Sequence, residues 1–71
     1  MEVKEALEQF GLDKNETAVY IACLRLSPAL ASAMAKAANI PRASIYDILE
    51  RLMQKGIINF SIRNGKKYFS A

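Results

Sequence analysis

Asn64-Gly65 stands between two short runs of strand-like residues, 57–63 and 66–71. An Asn-Gly pair supplies the two positive φ angles of a tight hairpin turn whose twist matches antiparallel strands. A two-residue turn then fixes the register. Arg63 pairs with Lys66, Ile62 with Lys67, Ser61 with Tyr68, Phe60 with Phe69 and Ile58 with Ala71. One face of that ladder carries Ile58, Phe60, Ile62, Phe69 and Ala71 with the stem of Lys67. The other carries Asn59, Ser61, Arg63, Lys66, Tyr68 and Ser70. A slip by one residue would scramble this separation, so the pattern itself selects the register.

Everything before the hairpin has helical spacing. Residues 2–10 place Val3, Ala6, Leu7 and Phe10 on one face, and Gly11 is suited to end that helix. Asp13 with Glu16 three residues later has the form of a capping box for a helix over 14–26. Ala18, Tyr20, Ile21, Ala22 and Leu24 make that helix apolar on more than one side, and Ser27-Pro28 stops it. An alanine-rich helix follows over 31–38, with Leu30, Met34, Ala35 and Ala38 able to face inward. Asn39 tolerates the left-handed conformation that closes a helix, and Pro41 suits the first position of the next one, over 41–55. Two helices separated by so short a turn have the spacing of a helix-turn-helix. With the wing over 57–71, the expected fold is mainly α with a small β-hairpin, a single winged helix-turn-helix domain spanning residues 1–71.

A chain of 71 residues has room for one small core, and with 52% apolar residues it can fold without staples. One cysteine, Cys23, excludes an internal disulfide, and the absence of histidine excludes a His-ligated metal. No cofactor is expected. Without a histidine or a nucleophile–base pair, an enzyme is not expected either. The start, Met1-Glu2-Val3-Lys4-Glu5, has no apolar signal-peptide core, and no apolar run approaches a bilayer's width. The expectation is an intracellular protein that is cytoplasmic, nucleoid-associated and free of membrane contact. The sequence stops with the second strand, as a very small protein or one domain of a longer one would.

Charge is divided along the chain. Residues 1–24 carry a balance of −3 and residues 25–71 one of +6, within a net charge of +3. The basic part therefore coincides with the helix-turn-helix and the hairpin, as in a nucleic-acid reader. On the 41–55 helix, Ile45, Ile48, Leu49 and Leu52 form the core side, and Ala43, Asp47, Glu50 and Gln54 point away from it. Its first turns offer small residues, Ala43 and Ser44, beside Arg42 and Tyr46. That combination permits close approach to base edges and supplies hydrogen bonds there. Asp47 is able to accept from a cytosine amino group or to orient Arg42 or Arg51, and an Asp47–Arg51 ion pair is its other role. At the hairpin tip Arg63 faces Lys66 with Asn64 and Lys67 adjacent, a like-charge arrangement that a phosphate backbone would relieve. The plainer alternative there is a solubilising turn that blunts an edge strand. Ser32 and Lys36 on the preceding helix are further candidates for phosphate contact, and Arg51, later on the 41–55 helix, is a further candidate for DNA contact. The Val3/Leu7/Phe10 stripe packs on the core or, alternatively, pairs two copies of the chain as a homodimer.

Two segments resemble a known family. Gly11-Leu12-Asp13-Lys14-Asn15-Glu16-Thr17-Ala18-Val19-Tyr20 is similar to the opening of TrmB-type regulators, a largely archaeal family. Ile40-Pro41-Arg42-Ala43-Ser44-Ile45-Tyr46-Asp47-Ile48-Leu49-Glu50-Arg51-Leu52 with Lys55-Gly56 resembles their recognition-helix signature. The resemblance covers about residues 5–70. It implies a winged helix, operator binding as a dimer, and transcriptional control, commonly of sugar uptake or metabolism. The chain departs from the family pattern at Leu30, where a polar cap is frequent, at Ala33 and Ala37, where acidic residues are frequent, and at Ser44, where a basic one is common. The family's effector domain and dimerising coiled coil lie downstream, so no small-molecule ligand is expected within this chain.

The expected function is sequence-specific binding of double-stranded DNA by the reading domain of a transcription regulator. Two other readings compete: a winged-helix module whose basic tip meets an acidic protein, and a chromatin-like protein that coats DNA without sequence preference.

Overall fold

The computed structural model describes residues 3–71. Along the chain it places α1 (Val3–Gln9), α2 (Lys14–Leu26), α3 (Ala31–Ala38), α4 (Arg42–Gln54), β1 (Asn59–Arg63) and β2 (Lys66–Ser70). The expected start of the first helix at Glu2 lies outside the described residues.

Local chemistry sets the element ends. Asp13 Oδ1 accepts the Glu16 N–H at 2.7 Å while Glu16 Oε1 accepts the Asp13 N–H at 2.9 Å, the reciprocal capping box expected at the start of α2. Asn39 closes α3 in the left-handed conformation, at φ 58° and ψ 46°. Pro41, which the sequence places inside α4, instead caps it. Its ψ of 142° is extended, and its carbonyl already accepts the Ser44 N–H at 2.9 Å. Leu30 starts α3 without any side-chain cap.

Three helices interlock around one core. It is built from Val19, Ala22 and Cys23 of α2, Ala31, Met34 and Ala35 of α3, and Ile45, Ile48, Leu49 and Leu52 of α4. Leu12, Ile58 and Phe69 close it, and every member is 5% exposed or less. Each large side chain so buried stabilises the fold by about 1.5–3 kcal/mol. The second helix is less apolar inside than its composition suggests. Glu16 and Thr17 are buried on it, whereas Leu24 and Leu26 are exposed.

The hairpin has the register that its turn dictates, from Arg63↔Lys66 to Asn59↔Ser70. Asn64 and Gly65 take positive φ values of 52° and 74°. The ladder ends at Asn59↔Ser70, without the expected Ile58–Ala71 pair, and the Ala71 N–H, which points to the outer edge of β2, donates to Ser27 Oγ at 3.3 Å. On the far edge of β2, Phe69 exchanges two hydrogen bonds with Ala29, at 2.7 and 3.0 Å, and this ties the hairpin to the segment before α3. Among the described residues, four helices and one antiparallel hairpin make up the α+β winged-helix arrangement expected from the sequence.

The first helix buries none of its residues. Core packing accounts for Leu7, which is half-buried against the cluster, but not for Val3 or Phe10, which are 62% and 71% exposed.

Candidate nucleic-acid interface

The start of α4 is presented to solvent because its apolar stripe is fully used on the other side. Ile45, Ile48 and Leu49 are no more than 1% exposed, while Arg42, Ala43, Ser44, Tyr46 and Asp47 are all exposed. Beside this surface lies a cleft of about 290 Å³, lined by Leu30, Ala31 and Ser32 of the α3 start, Arg42 and Tyr46 of α4, and Lys66, Lys67 and Phe69 of β2. Three elements separate in sequence therefore converge on one concavity. Lys36 follows Ser32 by one helical turn on the exposed side of α3.

Every charged residue lining the cleft is a cation. Among the described residues, Lys36, Arg42, Arg63, Lys66 and Lys67 form no ion pair with a carboxylate. Two of the hairpin cations have aromatic neighbours instead: Lys67 Nζ lies 4.6 Å from the centre of the Phe60 ring, and the Arg63 guanidinium 5.9 Å from that of Tyr68. Such contacts leave the positive charge in place and orient it. The face also holds the uncapped start of α3, whose first N–H groups point along the positive end of the helix dipole. Cationic side chains, a hydroxyl and a phenol around a concave wall suit a phosphate backbone, with Ala43 and Ser44 leaving room for base edges.

Not every expected residue joins this group. Asp47 and Arg51 lie further along α4. Arg51 Nη1 donates to Asp13 Oδ2 at 3.2 Å, and its Nε is 3.6 Å from Asp47 Oδ2, the ion pair expected within the helix. Arg63 and Asn64 sit at the hairpin tip, outside the cleft lining. Conversely, Leu30, Ala31 and Phe69 line the cleft, although as residue types they do not suggest a binding role. The one signal in the sequence is the missing polar cap at Leu30, which leaves a helix start open to an anion.

Other chemistries find no support in the described residues. Cys23 is fully buried, and burial pushes its thiol up to about 11, so it stays protonated and inert near neutral pH. No group of three His, Cys, Asp or Glu among the described residues is placed to hold a metal ion, and no helix is long and apolar enough to cross a membrane.

The family model described as "Sugar-specific transcriptional regulator TrmB" matches residues 7–71. The HTH-type sugar sensing transcriptional regulator TrmBL1 of Pyrococcus furiosus is 38% identical over 58 residues, covering 82% of this chain and 17% of that protein. YrhO of Bacillus subtilis, an uncharacterised protein, is 33% identical over 64 residues, covering 90% of this chain and 23% of its own. The chain thus spans less than a quarter of the length of either relative. The matched segment contains the capping box, the α4 signature and the whole hairpin, and the chain belongs to the TrmB family of transcriptional regulators.

Proposed function

We propose that this chain reads specific sequences in double-stranded DNA as the DNA-binding domain of a transcription regulator, within the cytoplasm and associated with the nucleoid. The observation that carries the reading is the convergence of Ser32, Arg42, Tyr46, Lys66 and Lys67 on one cleft beside the exposed start of α4. In this arrangement α4 enters the major groove with Arg42, Ala43, Ser44, Tyr46 and Asp47 towards the bases. Ser32 and Lys36 contact the phosphates on one side, and Arg63, Asn64, Lys66 and Lys67 contact the backbone or minor groove on the other. The exposed Val3 and Phe10 support pairing of two copies through α1, so that two half-sites are read together. We assign no sugar site to these residues; sugar sensing belongs to the name of a relative of which this chain spans 17%.

The test is selection from a random duplex pool at two salt concentrations, with the retained DNA sequenced. An enriched motif is the expected result, and two half-sites ~34 Å apart would add the dimer. Salt-sensitive retention without enrichment would replace sequence reading with general DNA coating. No retention at the lower salt would leave a protein-contact module as the better account. Within a selected site, Arg42→Ala should cost about 1–3 kcal/mol and relax base choice at one position.

A further inference from the structure

The two ends of α4 are held in different ways. Its first turn has free side chains. Its last two cations are engaged by residues some 40 positions earlier in the chain, at the junction of α1 and α2. Arg51 bridges Asp13, at 3.2 Å, and Asp47, at 3.6 Å. One turn on, Lys55 Nζ donates to Glu16 Oε1 at 3.0 Å and to the Gly11 carbonyl at 3.1 Å. Glu16 is only 3% exposed. Asp13 and Glu16 are also the two members of the capping box, so the carboxylates that start α2 are the ones that grip α4.

This arrangement alters what Arg51 has to offer DNA. Two carboxylates already face its guanidinium, and a phosphate reaching for it would meet both. Exposed ion pairs add little stability, so the value of this one lies elsewhere. A planar guanidinium held between a helix cap and its own helix fixes direction. We propose that Arg51 is a positioning residue. With Lys55 it sets the tilt of α4 against α2, and thereby the angle at which residues 42–47 meet the bases, without touching a phosphate itself. The proposal rests on the DNA-reading function above.

Two substitutions test it on the full chain. Asp13→Asn keeps a side-chain oxygen able to cap the Glu16 N–H, but sets a neutral amide against Arg51. Arg51→Gln removes the guanidinium. Each variant is first shown by thermal melting to be folded at the assay temperature. Affinity is then measured for a selected duplex and an unrelated one across a salt series. Both variants should lose selectivity for the selected duplex by about tenfold, the equivalent of one base contact. The salt slope should be unchanged, and the double variant should lose no more than either single one. A slope flatter by roughly 0.9 in Arg51→Gln would make Arg51 a phosphate ligand and overturn the proposal. Unchanged selectivity in both variants would also overturn it, reducing the clamp to ordinary surface packing. If the unaltered chain selects no sequence, the DNA-reading function itself falls, and the role of Arg51 falls with it.

Discussion

At its base the hairpin buries Phe69 and Ile58, 2% and 5% exposed, and Ala29 adds two hydrogen bonds along the outer edge of β2. At its tip Ile62 is 60% exposed and Arg63 faces Lys66 across the turn. Phe69 and Ile62 belong to one ladder and lie on one face of it, and Ile58 immediately precedes its first strand. What differs is the layer underneath. The helical core reaches the base and stops short of the tip. Alternation in a strand therefore says which way a side chain points, while the extent of the neighbouring layer decides whether it is buried. The base supplies stability, and the tip is left free to carry charge.

The strongest way to break this contrast is Phe69→Ala. A buried aromatic so removed should cost about 3–5 kcal/mol, a large share of the roughly 5–15 kcal/mol available to a small domain. Chemical denaturation measures it, and a decrease below ~1 kcal/mol would mean that the base is not seated as described.

The packed region also has its own pH signature. The Cys23 thiol moves from 9.0 to about 11 through burial, so the unfolded chain ionises first on the alkaline side. The stability it contributes is intact below pH 9.0 and is lost as the pH rises towards about 11, at most about 3 kcal/mol. A Cys23→Ala variant should lack this component of the alkaline loss, which unfolding measured from pH ~8 to ~11 would reveal.

At the turn, Gly65→Ala places a Cβ on a residue with φ of 74° and should cost about 1 kcal/mol, read as a drop in the thermal midpoint. Smallest of all should be the effect on stability of replacing Arg63 and Lys66 together by alanine, within ~0.5 kcal/mol. The same pair should nevertheless flatten the salt dependence of DNA binding by roughly 0.9 for each phosphate no longer neutralised. A large drop in stability there would show that the tip is structural after all.

Much of this arrangement was legible in the sequence, for identifiable reasons. The hairpin register followed from Asn64-Gly65, the start of α2 from Asp13 and Glu16, and the buried stripe of α4 from the spacing of Ile45, Ile48, Leu49 and Leu52. These are local rules, and each needs only neighbours in the chain. The cleft was legible in part. Arg42, Ser32 and Lys66 stood out as residue types, but their convergence depends on how α3 and β2 meet, which the Ala29–Phe69 bridge decides. The clamp on Arg51 was hidden for the same reason. Its i,i+4 partner Asp47 could be read from spacing, whereas Asp13 lies far off in the chain. Burial of Glu16 was masked by its evident role as a cap, since nothing local reveals Lys55 above it.

The Ala29 bridge occupies the outer edge of β2 and leaves β1 as the terminal strand of the sheet. A terminal strand flanked by exposed Phe60 and Ile62 is a template on which another copy's backbone could add. Arg63, Lys66 and Lys67 crowd the same hairpin, and their mutual repulsion between molecules opposes that addition. Charge repulsion at this edge thus falls away as salt screens it, and concentrated salt should favour self-association of the chain.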